Sequence, residues 1–257
     1  MRKVWLVLGA VTTAFTLMAF SIGMWHGFAK AKPPKESTRR SIPFSLSKLK
    51  LDAERGDVSL QVLPGEAGEL VLERSLRWSA EKPAVAEDWD GRTLKLSAVC
   101  PGSDRFDPPL CEADYTLFMP PETDLEVTTV NGRLDLADLR GDVRATSVSG
   151  QVRVTGARGD LWVRSGTGDV DADALTGDHV DVEVGSAAVL LSFRESPSDV
   201  RAVARAAGDV HVLVPAELTY DVTTDALQVD ADVLTDKESP RKITAATSDG
   251  QVFLCCR

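Results

Sequence analysis

Apolar and polar residues alternate with a period of two along most of the chain. From Ser41 onward, no segment shows the period of about 3.6 residues that is typical of an amphipathic helix. Val58–Val62, Tyr115–Phe118 and Leu125–Val127 alternate instead, and turn-forming pairs such as Asn131-Gly132 separate the alternating runs. The pattern predicts an all-β domain.

The centre of the chain is repetitive. Glycine recurs there every nine residues, at Gly132, Gly141, Gly150, Gly159, Gly168 and Gly177. Aspartate follows the glycine in four of the six units, at Asp142, Asp160, Asp169 and Asp178. The third and fifth positions of the units are mostly Val, Leu or Ala, and the fourth is mostly polar. Residues 132–185 therefore form a series of sequence repeats.

One nine-residue unit has room for a strand of about five residues and a turn of about four. The third and fifth positions then face one side of a sheet and the fourth faces the other. Two units would form one coil, and coils stacked about 4.8 Å apart would bury a continuous apolar ladder. We expect glycine to supply a positive φ at the turn and aspartate to bond nearby backbone amides. The sequence thus favours a β-solenoid-like fold, with a β-sandwich or meander of Gly-Asp hairpins as the alternative.

The sixth unit departs from the pattern. Val180, Val182 and Val184 keep the alternation but lie one residue out of phase. Because a true slip would turn the apolar face outward, we expect a β-bulge near His179.

The N-terminal segment contains an uncharged stretch from Val4 to Met24, with Trp5 and Trp25 at its ends. Such a stretch can span a hydrocarbon core of about 30 Å, so residues 1–28 are predicted to form a single transmembrane helix. A cleaved signal peptide ending near Ala29–Ala31 is the alternative. Residues 29–41 are basic and contain two prolines, which predicts a stalk. The β-repeat domain then occupies residues 42–257.

Charge excludes one class of partner. Seven of the 29 basic and one of the 39 acidic side chains precede Ser41, so the remainder of the chain has an excess of 16 acids. A domain of that charge repels phosphate backbones, and we expect no nucleic-acid binding.

The side of the membrane is indicated by two conflicting features. Five basic residues follow the apolar stretch and two precede it, which favours a cytoplasmic domain. Cys100 and Cys111, however, flank a turn-rich segment that suits a disulfide between two strands, and disulfides persist outside the reducing cytoplasm. Two unpaired thiols are the alternative. We favour an extracytoplasmic domain. Cys255 and Cys256 have no explanation from the sequence.

No catalytic motif is recognisable. The three histidines lie outside nucleophile or metal motifs, and neither a Gly-x-Ser-x-Gly elbow nor a phosphate-binding loop occurs. Asp169, Asp171 and Asp173 alternate beside Asp178, but their spacing does not fit a calcium loop. We therefore expect no catalytic residue, cofactor or metal. Trp162 stands at a fourth position, where it could contact a partner from the outer face or be covered by a flanking loop.

The repeats resemble the bacterial putative adhesin family, domain of unknown function 4097, over residues 41–254. The resemblance is carried by the repeated Gly-Asp-Val units, the break at Glu195–Ser198, the run Gly208–Pro215 and the segment Thr247–Val252. Cys100, Cys111, Ala113 and Tyr115 before Pro120 are similar to exported actinobacterial members. The resemblance implies a β-repeat fold and association with the cell envelope, and it supplies no catalytic residues.

The sequence therefore predicts a non-catalytic, membrane-anchored cell-envelope protein. Its rigid acidic surface would contact a protein or a cell-wall polymer, as an adhesin or an interaction scaffold does. A polysaccharide-active β-helix enzyme and a cytoplasm-facing scaffold of a membrane stress-response complex are the alternatives.

Overall fold

The computed structural model describes residues 2–31 and 33–256; the side chains of residues 2–8, 10, 26, 28–31 and 54–57 lie outside that description. One helix and twenty strands make up the described chain. They are α1 (Arg2–Ala31), β1 (Lys35–Pro43), β2 (Lys48–Pro64), β3 (Glu69–Trp78), β4 (Ala84–Trp89), β5 (Thr93–Val99), β6 (Cys111–Met119), β7 (Asp124–Asn131), β8 (Leu134–Ala137), β9 (Val143–Ser147), β10 (Val152–Thr155), β11 (Leu161–Ser165), β12 (Val170–Leu175), β13 (His179–Ser186), β14 (Val189–Phe193), β15 (Asp199–Ala207), β16 (Val210–Val214), β17 (Asp221–Asp225), β18 (Gln228–Asp232), β19 (Lys242–Asp249) and β20 (Gln251–Cys256).

The strands form two long sheets that face each other. Sheet A has the order β1, β3, β6, β2, β8, β10, β12, β14, β16, β20, β18. Sheet B has the order β4, β5, β2, β7, β9, β11, β13, β15, β19, β17. The long strand β2 contributes its first half to sheet B and its second half to sheet A. Apart from the pairs of β1 with β3, β3 with β6 and β4 with β5, all pairings are parallel.

Successive strands alternate between the two sheets, so two nine-residue units make one coil. Leu134, Val152 and Val170 stand side by side in sheet A, each 18 residues after the last. In β10, Val152 and Val154 are buried between the sheets while Arg153 faces outward. The expected β-solenoid is therefore confirmed. The alternative built from hairpins is wrong for the repeats, because a hairpin pairs its strands antiparallel.

Both ends of the solenoid depart from chain order. Strands β19 and β20 enter between the coil of β15 and β16 and the coil of β17 and β18. In the same way, β2 lies between the coil of β5 and β6 and the coil of β7 and β8. Near the C-terminal end, the fully buried Tyr220 places its hydroxyl 3.1 Å from the Ser196 hydroxyl. At the C-terminal end, therefore, the coil inserted next to β17 and β18 comes later in the chain than they do. At the N-terminal end, the strand inserted next to β5 and β6 comes earlier in the chain than they do.

The extra residue expected near His179 lies there, in the corner that precedes β13. Gly177 packs against Gly159, 18 residues earlier, whereas Val180 pairs with Leu161, 19 residues earlier. One residue is therefore added between Gly177 and Val180, which leaves Val180, Val182 and Val184 facing the core as the alternation required. His179 itself is paired in register with Asp199, so the addition belongs to the corner and not to a bulge within β13.

The N-terminal helix α1 is 30 residues long and runs to Ala31, beyond the expected boundary at residue 28. Within the described part of the chain, the structure contains no helix whose length and hydropathy suffice to cross a bilayer. The side chains of Val4 and its neighbours up to residue 8 lie outside that part. The apolar side chains described for α1 are 50–76% exposed: Val11, Phe15, Leu17, Met18, Phe20, Ile22, Met24 and Trp25.

The expected stalk overlaps the β domain. Strand β1 begins at Lys35 and pairs over its whole length with β3. The segment between α1 and the first strand is therefore only a few residues long, and the basic residues Arg39 and Arg40 belong to the edge of sheet A.

Candidate functional site

The repeat glycines stand in two columns at the corners between the sheets. One column contains Gly132, Gly150 and Gly168, and the other contains Gly141, Gly159 and Gly177. A β-carbon on Gly150 would lie 1.7 Å from the carbonyl oxygen of Gly132, and one on Gly168 would lie 2.0 Å from that of Gly150. The expected positive φ occurs at Gly132 alone (95°). At the other five, glycine is required because successive coils approach too closely for a side chain.

Aspartates at the corners, most of which follow a repeat glycine, join one coil to the next. The carboxylate of Asp124 accepts the backbone N–H of Asp142 at 3.0 Å, and Asp142 accepts that of Asp160 at the same distance. On the other corner, Asp169 accepts the N–H of Ala188 at 2.9 Å. Each bond crosses one coil. The predicted bonding of aspartate to backbone amides is confirmed, and the amide belongs to the following coil.

Buried serine hydroxyls form hydrogen bonds at the corners where the chain passes from sheet B into sheet A. The Ser147 hydroxyl donates to the Gly150 carbonyl at 2.9 Å and accepts the Gly150 N–H at 3.1 Å, and Ser165 makes the equivalent pair of bonds with Gly168. Corner amides and carbonyls that the sheets leave unpaired are satisfied in this way. The signal was present in the sequence as Ser or Thr three residues before glycine.

Trp162 lies on the outer face of sheet B, as its position in the repeat predicted. The guanidinium of Arg164 lies 4.2 Å from its ring centroid, and that of Arg144 lies 4.6 Å away. Arg144 precedes Trp162 by one full coil and stands beside it in register. The indole is half-buried. Side chains of the sheet itself, rather than a loop, therefore provide its cover, and cation–π attraction holds them there.

A network of ion pairs continues from the tryptophan toward the C-terminal coils. Arg164 donates to the Asp181 carboxylate at 2.6 Å, and Arg201 donates to Asp181 and to Glu183 at 3.0 Å each. Arg205 also pairs with Glu183. Burial opposes ionisation of Asp181 and Glu183, but the hydrogen bonds from these arginines outweigh it and lower the pKa of both carboxyls. Both side chains are therefore fixed in their charged form.

A groove of about 380 Å³ runs beside Trp162. Asp124, Asp142 and Asp160 line it together with the basic side chains of Lys48 and Arg144. His179 also lines it, and its Nδ1 lies 3.2 Å from Asp160 Oδ1. Trp162 is part of the lining. Carboxylates therefore repeat along the groove at the spacing of the coils, about 4.8 Å.

The remaining predicted residues lie away from this groove. Cys100 and Cys111 form a disulfide with Cα atoms 5.8 Å apart, as expected, and it closes the loop between β5 and β6. Asp171 faces outward from sheet A and lies 3.4 Å from Arg153. Since Asp169 is committed to the corner and Asp171 to an arginine, these acids do not converge as a calcium loop requires. Arg144 and Arg164 were not predicted, although Arg144 lies two repeat units before Trp162.

Fold and site together define a two-sheet parallel β-solenoid with an aromatic, charge-paired outer face. No family model and no curated protein matches the chain. Among solved structures, it is similar to a putative cell adhesion protein from Clostridium sporogenes (14% identity, 88% of this chain and 100% of the other, TM-score 0.42). A putative lipid binding protein from Parabacteroides distasonis (12%, 85% and 97%, 0.47) and a putative adhesin from Parabacteroides merdae (10%, 84% and 96%, 0.36) are also similar. Similarity at this level transfers no function.

Proposed function

We propose that this protein is a non-enzymatic binding scaffold of the cell envelope, attached to the membrane by α1. The groove beside Trp162 would contact an extended polymer rich in hydroxyl groups, such as a cell-wall glycan. The observation that carries the proposal is the half-buried indole of Trp162, held by Arg144 and Arg164 next to a regular row of carboxylates.

The chemistry of the groove suits a linear polyol. The part of the Trp162 indole that Arg144 and Arg164 leave exposed would contact the apolar face of a sugar ring, and carboxylates accept hydrogen bonds from hydroxyl groups. The side chains are fixed in advance by cation–π contacts and ion pairs, so binding would order few rotamers. Because the carboxylates recur along the groove, a polymer with repeating hydroxyls could make the same contact at successive coils.

Attachment to the membrane is supported by α1. The described apolar side chains of this helix are exposed, and a surface of that size requires a cover. Export of the β domain is supported by the Cys100–Cys111 disulfide, since such bonds persist in oxidising compartments. The five basic residues after the apolar stretch oppose that orientation, so it requires a direct test.

The proposed absence of catalysis rests on how the groove carboxylates are used. Glycoside hydrolysis requires two carboxyls on either side of the scissile bond, one of them free to donate a proton. Asp124 and Asp142 each accept a backbone N–H from the next coil, and the same bond recurs as part of the architecture. Their repetition is explained by stacking of the coils without a catalytic role.

Binding can be tested by co-sedimentation of the full chain, in detergent micelles, with insoluble cell-wall polymer. Trp162→Ala should weaken binding on the order of thirtyfold, as loss of a central aromatic contact does. Leu190→Ala is the matched control, because Leu190 is also outward-facing, is 39% exposed and lies on sheet A. Equal binding by wild type and Trp162→Ala would overturn the proposal. Release of new reducing ends from the polymer, abolished by Asp160→Asn, would establish the enzyme alternative instead.

Orientation can be tested with the exposed thiol of Cys256. In intact cells, a membrane-impermeant maleimide should label the wild type and leave a Cys255→Ser, Cys256→Ser variant unlabelled. Labelling of the wild type only after lysis would place the domain in the cytoplasm and favour the stress-response scaffold.

A further inference from the structure

Cys255 and Cys256 end the last strand of sheet A, beside the edge strand of the same sheet. β20 pairs with β18 in parallel, and Cys255 stands in register with Asp232. The two sulfur atoms lie 3.9 Å apart, and one carboxylate oxygen of Asp232 lies with them in a group whose members are all within 4.8 Å of one another. Among the described residues, this trio is the group of potential metal ligands that the fold brings together.

The separation of the two sulfurs suits a shared ion better than a bond. A disulfide bond is about 2.05 Å long, whereas the Cys255 and Cys256 sulfurs lie 3.9 Å apart. Two thiolates bound to one tetrahedral ion at about 2.3 Å each would lie roughly 3.8 Å apart. The observed 3.9 Å requires almost no movement of the strand to admit an ion.

The donor set selects the class of ion. Hard cations such as Ca²⁺ and Mg²⁺ take oxygen ligands only, whereas thiolates favour Zn²⁺ and the related soft ions. Two sulfurs and one carboxylate oxygen leave one tetrahedral position for water, an arrangement that zinc commonly adopts. Asp232 and Cys256 are exposed, so an ion can enter from solvent.

We propose that Asp232, Cys255 and Cys256 form a binding site for a thiophilic cation of the zinc class. The ion would join β18 to β20 by side chains in addition to their backbone ladder. All five residues of β18 are exposed, and the strand forms one edge of sheet A. A bound ion would therefore hold the coil of β17 and β18 to the neighbouring coil of β19 and β20.

The test is a titration of the full chain in detergent with Cd²⁺, followed by the ultraviolet thiolate-to-metal charge-transfer band. The chain, its Cys100–Cys111 disulfide intact, should first show two reactive thiols. The band should saturate at one Cd²⁺ per chain and be abolished in Cys255→Ser and in Cys256→Ser. Asp232→Asn should bind at least about tenfold more weakly, the lower end of what losing an indirect support costs a metal site.

The matched control is Asp230→Asn, two residues earlier on the same exposed strand and paired with Phe253. It should titrate like the wild type, and circular dichroism should show that all variants are folded. The proposal is overturned if Asp232→Asn also titrates like the wild type, if one Cd²⁺ bridges two chains, or if the native chain shows no reactive thiol because Cys255 and Cys256 are joined to each other.

Discussion

Replacement of Gly150 by alanine would place a methyl group inside the preceding coil. The new β-carbon would lie 1.7 Å from the carbonyl oxygen of Gly132 and 2.9 Å from its carbonyl carbon. These atoms are backbone, so no side-chain rotation relieves the overlap. The corner must move outward by well over 1 Å to restore an ordinary contact of about 3.4 Å, because close-packed interiors leave no free space.

The expected loss of stability follows from two contributions. Overpacking of a rigid site costs about 1–3 kcal/mol, and Gly150 lies at the severe end of that range. Displacement also strains the two hydrogen bonds between Gly150 and the buried Ser147, which contribute about 1 kcal/mol each. We expect Gly150→Ala to lower the free energy of unfolding by about 3–4 kcal/mol and the melting temperature by roughly 6–16 °C.

The measurement is urea and thermal unfolding of the full chain, followed by circular dichroism. Ala187→Gly is the matched control: Ala187 occupies the same corner column one coil beyond Gly168, where alanine is accommodated. It should cost only about 0.5–1 kcal/mol, through the greater freedom of glycine in the unfolded chain. A loss below about 1 kcal/mol for Gly150→Ala, or one equal to that of the control, would refute the close-packing explanation.

Three further predictions concern stability. Ser147→Ala should cost about 1–3 kcal/mol in urea unfolding because it leaves the Gly150 amide without its buried partner, whereas Ala at the exposed Ser149 should cost under about 1 kcal/mol; equal effects would remove the corner role of Ser147. Replacing Cys100 and Cys111 together by serine should cost about 2–3 kcal/mol in thermal unfolding, and addition of reductant should then change nothing more. Arginines lower the folded-state pKa of Asp181 and Glu183 below the ordinary values of 3.8 and 4.5. The stability that these two ionised carboxylates contribute is therefore fully present above the ordinary values, and it is lost as the pH falls through the lower folded-state values. An Asp181→Asn, Glu183→Gln variant should therefore show a flatter loss of stability with acidification below about pH 4.5, and an unchanged slope would contradict the pairing.

The regular part of the fold was predictable because each repeat position has one physical role. Alternation fixed which residues face the core, and the spacing of nine fixed the coil length, so the register of Val152 between Leu134 and Val170 follows directly. The reason for the glycines was less accessible. A positive φ and a close approach both select glycine, and only the distances between coils distinguish them.

The ends of the solenoid were not predictable from the sequence. Insertion of β19 and β20 beneath β17 and β18 reverses chain order, and alternation patterns carry no information about which strand lies next to which. The site was predicted in part. Trp162 was assigned to the outer face, but its contacts with Arg164 within the strand and Arg144 one coil away depend on side-chain geometry. Likewise, the approach of Asp232 to Cys255 depends on the inserted coil.

The order of the coils can be measured directly with pairs of spin labels on sheet B. Glu126 lies five coil steps from Thr244 and six from Thr223, because β19 precedes β17 in the stack although it follows it in the chain. In a Cys255→Ser, Cys256→Ser background, labels at Glu126→Cys and Thr244→Cys should lie about 24 Å apart, and labels at Glu126→Cys and Thr223→Cys about 29 Å apart. The longer distance to Thr223 is the result that stacked, intercalated coils require. A longer distance to Thr244, or distances that do not increase by one strand spacing per coil, would contradict it.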